Sequence, residues 1–392
     1  MQNFFVSLSL LFTLASSTAL ATEKAAEKEW TLLVFLNGNN NLDIFGAKDI
    51  NEMEMEGSDS KVDVVVQWAS LNRRTVQRLH VQKDQDPNTV TSPVIEHLGS
   101  VDMGSWKNLR DFIIWGATRY PSKKLFVDVW NHGSGWHRSL EKTRDISSDD
   151  LTHNKITTVE LGRALREASS SLGRRIDIYG SDACLMGMIE VANEVADSVD
   201  TYVGSQELEP GPGWHYGDWL KAWKATDQSA EAVATALVTT YVKSYQGGSQ
   251  GTKHVTLSAY RLSGQTQLNQ ALAQLKTELI QTLPTSRPLI QLAIQNSIKF
   301  FYSDYVDLGH WLSQIEALQL PGIQKTTIDG VRAALKNYVF ANGVTEFYAQ
   351  AEGVSIWLPS MEMDWTDYAQ LYRGLSFDQS VQWSQLLQGL MP

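Results

Sequence analysis

The sequence predicts an α/β fold, a mostly parallel sheet with helices on both faces, on two observations. From Trp30 onward, short runs rich in β-branched and aromatic residues alternate with segments of helical periodicity. Two of those runs, ending at Trp130 and Tyr179, lead directly into segments rich in chemistry-bearing residues, and strand C-terminal ends are where open α/β sheets place ligand sites.

In chain order, Thr31–Leu36 reads as the first strand, followed by a helix near Ile44–Met55 and a strand at Val62–Trp68. Arg74–Val81 follows closely enough to pair with its neighbour as a hairpin. A helix near Trp106–Arg119 leads into Leu125–Trp130, and one near Thr158–Ser170 into Arg175–Tyr179. A helical apolar pattern spans Met186 to Asp197, before a strand at Thr201–Gly204. From about Thr226 the chain is helix-rich, with stretches at Ser263–Thr282, Pro288–Phe301 and Lys325–Phe340 and single strands at His254–Tyr260 and Gly353–Leu358. The expected organisation is an α/β domain over 30–225 and a helix-rich C-terminal extension or second domain over 226–392.

The N-terminus reads as a secretory signal over 1–21: Phe4–Leu14 is apolar and Ala19-Leu20-Ala21 offers a cleavage site, although Met1-Gln2-Asn3 lacks the usual Lys or Arg. A charged tail over 22–29 follows. No later apolar run is long enough to span a bilayer, so the mature chain is expected in the periplasm or outside the cell. The net charge of −11 and the lack of a basic stripe argue against a nucleic-acid partner. No H-E-x-x-H, C-x-x-C, P-loop or EF-hand pattern occurs, so no metal or nucleotide cofactor is expected. Gly247–Gly251 matches G-x-S-x-G, but a helical pattern precedes it and a strand follows, the reverse of a nucleophile elbow. The 13 tryptophans read as core and groove packing, with Trp136 and Trp214 as candidates to line a cleft.

The chain has one cysteine, Cys184, between a strand pattern and a helix pattern. A lone thiol in an exported chain cannot form an internal disulfide. Near a helix N-terminus, unpaired amides and the macrodipole favour the nucleophilic thiolate. The alternative is a buried structural cysteine. Of the eight histidines, His80 and His254 lie in strand-like runs, and His97 and His310 lack a marked setting. His132 follows the strand Leu125–Trp130 and opens the glycine-rich loop Gly133-Ser134-Gly135. Two parallel strands would set its imidazole beside the Cys184 thiol, as a cysteine nucleophile requires. The amides of Gly133 and Cys184 could then form an oxyanion hole.

His132-Gly133-Ser134-Gly135-Trp136 and Asp182-Ala183-Cys184-Leu185-Met186-Gly187 resemble the two catalytic blocks of the clostripain-like cysteine peptidases. Three further segments are similar: Trp30 to Asp43 with its Asn-rich turn, Asp149 to Leu161, and Ser205 to Trp214. The resemblance spans Trp30 to Tyr216, and it departs from the family at Ser134, in place of a glycine, and at Gln206, in place of an acid. It implies a caspase/gingipain-like fold, the separation of about 50 residues between His and Cys matching the caspase spacing. The caspase Gln-Ala-Cys signature is absent.

The family preference for Arg or Lys before the cut bond implies an acidic pocket. Asp182 stands at the matching motif position; its other reading is a cap for the following helix. Glu207 is the second candidate for substrate binding. The family also implies self-cleavage between the blocks, with Lys142 and Arg144 as the available sites. Some members need calcium, for which Asp145, Asp149 and Asp150 are candidates, although a solvated acidic loop is the preferred reading. The sequence thus points to an exported cysteine endopeptidase acting on peptides with basic residues. Acyl transfer by the same dyad and a non-catalytic peptide-binding scaffold are the alternatives.

Overall fold

The computed structural model describes residues 27–137, 145–359 and 362–391. The expected signal segment, most of the tail, Lys142 and Arg144 lie outside the described residues.

Strand β1 (Lys28–Gly38) is buried from Trp30 onward and lies in the interior of a nine-stranded sheet. The other strands of this sheet, in chain order, are β2 (Val62–Ser70), β3 (Thr75–His80), β4 (Val94–Gly99), β5 (Ser122–Trp130), β6 (Ile176–Asp182), β7 (Val199–Gly204), β8 (Thr256–Arg261) and β9 (Val339–Val344). Their spatial order is β9-β8-β7-β6-β5-β1-β2-β3-β4. The central strands β7-β6-β5-β1-β2 run parallel. Antiparallel pairs extend both edges, with β3 folding back on β2 as the hairpin reading anticipates.

Helices α1 (Asp43–Glu54), α2 (Trp106–Arg119), α3 (Thr158–Leu172), α4 (Ile189–Val195), α5 (Tyr216–Lys224) and α6 (Ala230–Tyr245) accompany the parallel strands. After them come α7 (Gln265–Asn296), α8 (Leu308–Ala317), α9 (Lys325–Tyr338), α10 (Glu362–Tyr372), α11 (Ser376–Val381) and α12 (Ser384–Leu390). Successive side chains of a strand point to opposite faces. Accordingly, Leu32, Val34 and Leu36 of β1 pack beneath α1, α5 and α6, while Leu33 and Phe35 pack beneath α2 and α3. Helix α3 starts where a capping box permits, Thr157 and Glu160 satisfying each other's backbone amides.

The segment after residue 225 extends this body, supplying β8 and β9 to the same sheet. Tyr260 of β8 lies between the rings of Tyr202 and Tyr338, so strand and helix core are continuous there. One helix differs from expectation. The stretches read on either side of Pro284 and Pro288 are a single helix, α7. Each proline removes one amide donor; nearby, the hydroxyls of Thr282 and Thr285 bond back to the carbonyls of Leu279 and Thr282.

Glu190, in the first turn of α4, is wholly buried. Its Oε1 accepts from the Trp357 amide at 2.9 Å and the Tyr372 hydroxyl at 3.1 Å, and among the described residues nothing donates to Oε2. Burial pushes its carboxyl from 4.5 up to about 7. The folded chain thus holds this proton more tightly than the unfolded one. Its contribution to stability falls as pH rises from the unfolded value through about 7. Above that, the ionised side chain costs on the order of 3 kcal/mol. Glu190→Gln should therefore raise the melting temperature by several degrees at pH 8 and leave it nearly unchanged at pH 5. A variant equally destabilised at both values would contradict this.

Candidate active site

Strands β5 and β6 pair in register through Trp130 opposite Asp182. The Asn131 amide donates to the Asp182 carbonyl at 3.1 Å, carrying the pairing one residue past the strand ends. His132 and Cys184 each follow that matched pair by two residues, so both emerge at one rim of the sheet. Both line a pocket of about 190 Å³ together with Leu42, Asn131, Asp182 and Glu209. Gly133 explains how the two loops come so close. A Cβ there would stand 2.5 Å from the Cys184 carbonyl oxygen and 3.1 Å from the Ala183 Cβ, so any side chain would push the loops apart.

The Asn-rich turn after β1 fixes the histidine loop. Asn131 Nδ2 donates to the Asn37 carbonyl at 2.5 Å, and Asn37 Nδ2 donates to the Ser148 carbonyl at 3.0 Å. The Ser148 amide closes the ring on Asn131 Oδ1 at 2.9 Å. Next along the turn, Asn41 Oδ1 lies 2.7 Å from His132 Nε2. An amide oxygen has no proton to give, so this contact fits the tautomer with the hydrogen on Nε2. Sequence reasoning saw the turn but not this use of Asn41.

The thiol's setting corrects one expectation. Helix α4 begins at Ile189; Cys184 and Leu185 form a turn, with Leu185 at φ 63°, and irregular chain leads on to the helix. A branched residue in that region stores on the order of 1 kcal/mol of strain. Cys184 is therefore not at a helix N-terminus. It is half-buried, and Sγ accepts from the Glu209 amide at 3.4 Å. Burial pushes its thiol pKa up, so no helix dipole activates it. The same geometry removes the capping role for Asp182.

Asp182 forms the acidic floor of the pocket. Its Oδ2 accepts from the Trp214 amide at 3.3 Å and the Tyr216 hydroxyl at 2.9 Å. Gly213, with φ 57°, approaches so closely that a Cβ would meet Asp182 Oδ1 at 2.7 Å. Burial pushes the Asp182 carboxyl up to about 6, and burial together with Asp182 raises Glu209 well above its ordinary value. Glu209 and Asp182 thus face each other as a pair of buried acids.

Glu207 lies elsewhere. Its Oε1 accepts from the Leu208 amide at 2.7 Å and its Oε2 from the Tyr348 hydroxyl at 2.6 Å, so both oxygens are committed. The acid two residues on, Glu209, occupies the pocket instead. Gln206 also lies outside it, buried against Tyr260 and the Gly353 carbonyl. Trp214 and Trp136 are core residues, not cleft walls. Trp214 packs against Gly180, and Trp136 against the rings of Trp357 and Tyr372.

In the acidic segment from Asp145 to Asp150, two of the three candidate aspartates have other partners. Asp149 accepts from Asn39 Nδ2 and the amides of Met103, Leu151 and Thr152, and Asp145 pairs with Lys155. Among the described residues no group of His, Cys, Asp and Glu is arranged to hold a metal.

Comparison with known proteins places the chain in a family. The model of the Clostripain family matches residues 34–389. Clostripain of Hathewaya histolytica is 26% identical over 245 residues, 53% of this chain and 45% of that protein. The chain thus matches less than half the length of that relative. A secreted C11 cysteine protease from Bacteroides thetaiotaomicron, solved with an irreversible peptide inhibitor, has a TM-score of 0.67 at 20% identity, over 92% of this chain and 99% of that one. An inactive zymogen C11 protease from Parabacteroides distasonis has a TM-score of 0.68 at 18% identity, over 91% and 98%. At such identities the likeness is one of fold. The family match across nearly the whole chain carries the assignment, and the chain belongs to the Clostripain family of cysteine peptidases.

Proposed function

We propose that this chain is an exported endopeptidase that cuts after Arg or Lys. The observation that carries the reading is the register of β5 and β6, which brings His132 and Cys184 onto one pocket floored by Asp182 and Glu209. His132 takes the thiol proton through Nδ1, and the thiolate adds to the scissile carbonyl carbon. The amides of Gly133 and Cys184 donate to the developing oxyanion. The imidazolium then protonates the leaving amine, the C–N bond breaks, and a thioester remains on Cys184. Water, relieved of a proton by His132, hydrolyses that thioester. Asn41 holds the imidazole in the tautomer the first step needs.

Selection follows from the uncompensated acids. A guanidinium or ammonium would supply the cation that, among the described residues, faces neither Asp182 nor Glu209 in the free pocket, whereas an apolar side chain would leave both acids without one. Export rests on the apolar segment Phe4–Leu14 and on the secreted relative from Bacteroides. Among the described residues no helix is long and apolar enough to cross a membrane. The dyad chemistry uses no cofactor.

The test is cleavage of peptides differing only in the residue before the cut bond: Arg, Lys, Asp or Leu. Cleavage after Arg and Lys, unaffected by EDTA and lost in Cys184→Ala and His132→Ala, is expected; Asp182→Asn should lose the basic preference by tenfold or more. Cleavage by Cys184→Ala, or equal cleavage after Leu, would contradict the reading. Self-cleavage after Lys142 or Arg144 is the further expectation. Intact-mass analysis should show two fragments for the wild type and one chain for Cys184→Ala; identical masses would end that idea.

A further inference from the structure

Tyr216, at the start of α5, has its hydroxyl 2.7 Å from Asp128 Oδ2 and 2.9 Å from Asp182 Oδ2. All three side chains are buried, Tyr216 and Asp128 wholly so, Asp128 two residues before the end of β5. A phenol carries one hydrogen and can donate to one carboxyl only. The other contact, at hydrogen-bond distance, needs a proton from the carboxyl side, since two bare oxygens that close repel. One proton beyond the phenol's own must therefore reside on the Asp128–Asp182 pair.

Its place follows from the surroundings. Asp182 Oδ2 also accepts from the Trp214 amide, and Asp182 borders the pocket. Asp128 has no pocket exposure, and its Oδ1 receives only a long 3.4 Å contact from the Asp182 amide. Burial raises both groups, Asp128 well above its ordinary range and Asp182 only to about 6. The other titratable groups facing this pair are mostly acidic. They include Asp49 and Glu52 on α1, Glu209 and Cys184 in the pocket loops, and the phenols of Tyr179, Tyr241 and Tyr245; His215, further out, lies 3.8 Å from Glu52 through its Nε2. A second charge at Asp128 would add to that crowding.

We propose that Asp128 is a neutral buried acid that donates to the Tyr216 oxygen, so that Tyr216 in turn donates to Asp182 and keeps it ionised and aimed as the pocket's selecting carboxylate. Asp128 and Tyr216 are then positioning residues for substrate choice, two layers below the substrate. The inference rests on the reading of Asp182 as selector.

The experiment measures, on the full chain, the ratio of kcat/KM for an arginyl peptide over its citrullyl counterpart across pH. Citrulline keeps the shape of arginine without its charge, so the ratio isolates the carboxylate from the titration of His132 and Cys184. In the wild type this ratio should fall as pH drops through about 6. Tyr216→Phe removes the donor to Asp182. It should raise KM for the arginyl peptide about tenfold with kcat changed less than about threefold, and move the fall in the ratio upward by about one pH unit. Asp128→Ala should behave like Tyr216→Phe, whereas Asp128→Asn, whose amide N–H replaces the acid O–H, should restore wild-type behaviour to within about threefold. Melting temperatures identify any variant that fails to fold, and the Asn and Phe variants each test the link alone. The proposal is overturned if Tyr216→Phe keeps the wild-type KM and pH profile, or if Asp128→Asn loses the ratio as Asp128→Ala does. Asp182→Asn separates the two levels. If it retains the preference for arginine, the selector reading itself fails; if it loses the preference while Tyr216→Phe is silent, only the relay fails.

Discussion

The pairing of β5 with β6, locked by the approach of Gly133 to the Cys184 backbone, is the constraint on which the site depends. Parallel strands bring both C-terminal ends to one rim, and the Trp130–Asp182 register fixes how far each loop has travelled when it leaves the sheet. A slip of one residue would send every following side chain to the opposite face. The Asn-rich turn from the adjacent β1 then ties the histidine loop from the other side, through Asn37, Asn131 and Ser148. The imidazole and thiol are thus positioned by three neighbouring strand ends of a buried sheet, a rigid platform for reacting groups.

Beneath the pocket, chemistry of a different kind is stored. Asp49, Asp128, Asp182 and Glu209 are buried together, each raised first of all by burial. Such a group of acids costs stability and is tolerated because protons are retained and polar partners shared. The Trp130 indole holds Asp49, and Tyr216 bridges Asp128 and Asp182. The proposed preference for a basic substrate would place a cation beside these acids.

Much of this was legible in the sequence. The buried parallel strands and the helices around them carry strong apolar patterns, and α3 announces itself by its capping box. Edge strands were harder: β4 and β9 are exposed or half-buried throughout, with no buried face to mark them. The shared rim of His132 and Cys184 could be read because both residues follow strand signals closely. Glu209 could not, because the choice between Glu207 and Glu209 is made by Tyr348, which takes the Glu207 carboxyl from 141 residues away. Nor could the start of α4, since the apolar pattern from Met186 is equally that of a buried turn held by the Ser205 and Glu207 carbonyls. The role of Tyr216 is likewise tertiary, joining residues 34 and 88 positions apart.

Burial raises the Cys184 thiol and no helix terminus offsets it, so the proposed role of His132 in activating the thiol is the central claim to test. The rate of Cys184 alkylation by iodoacetamide across pH measures this directly, in the folded wild type and in His132→Ala. The wild type should react in mildly acidic solution and follow the imidazole, while His132→Ala should react only at alkaline pH, with the rate still rising above the ordinary thiol range. Superimposable profiles for the two proteins would contradict the coupling of imidazole and thiol that the strand register is argued to create.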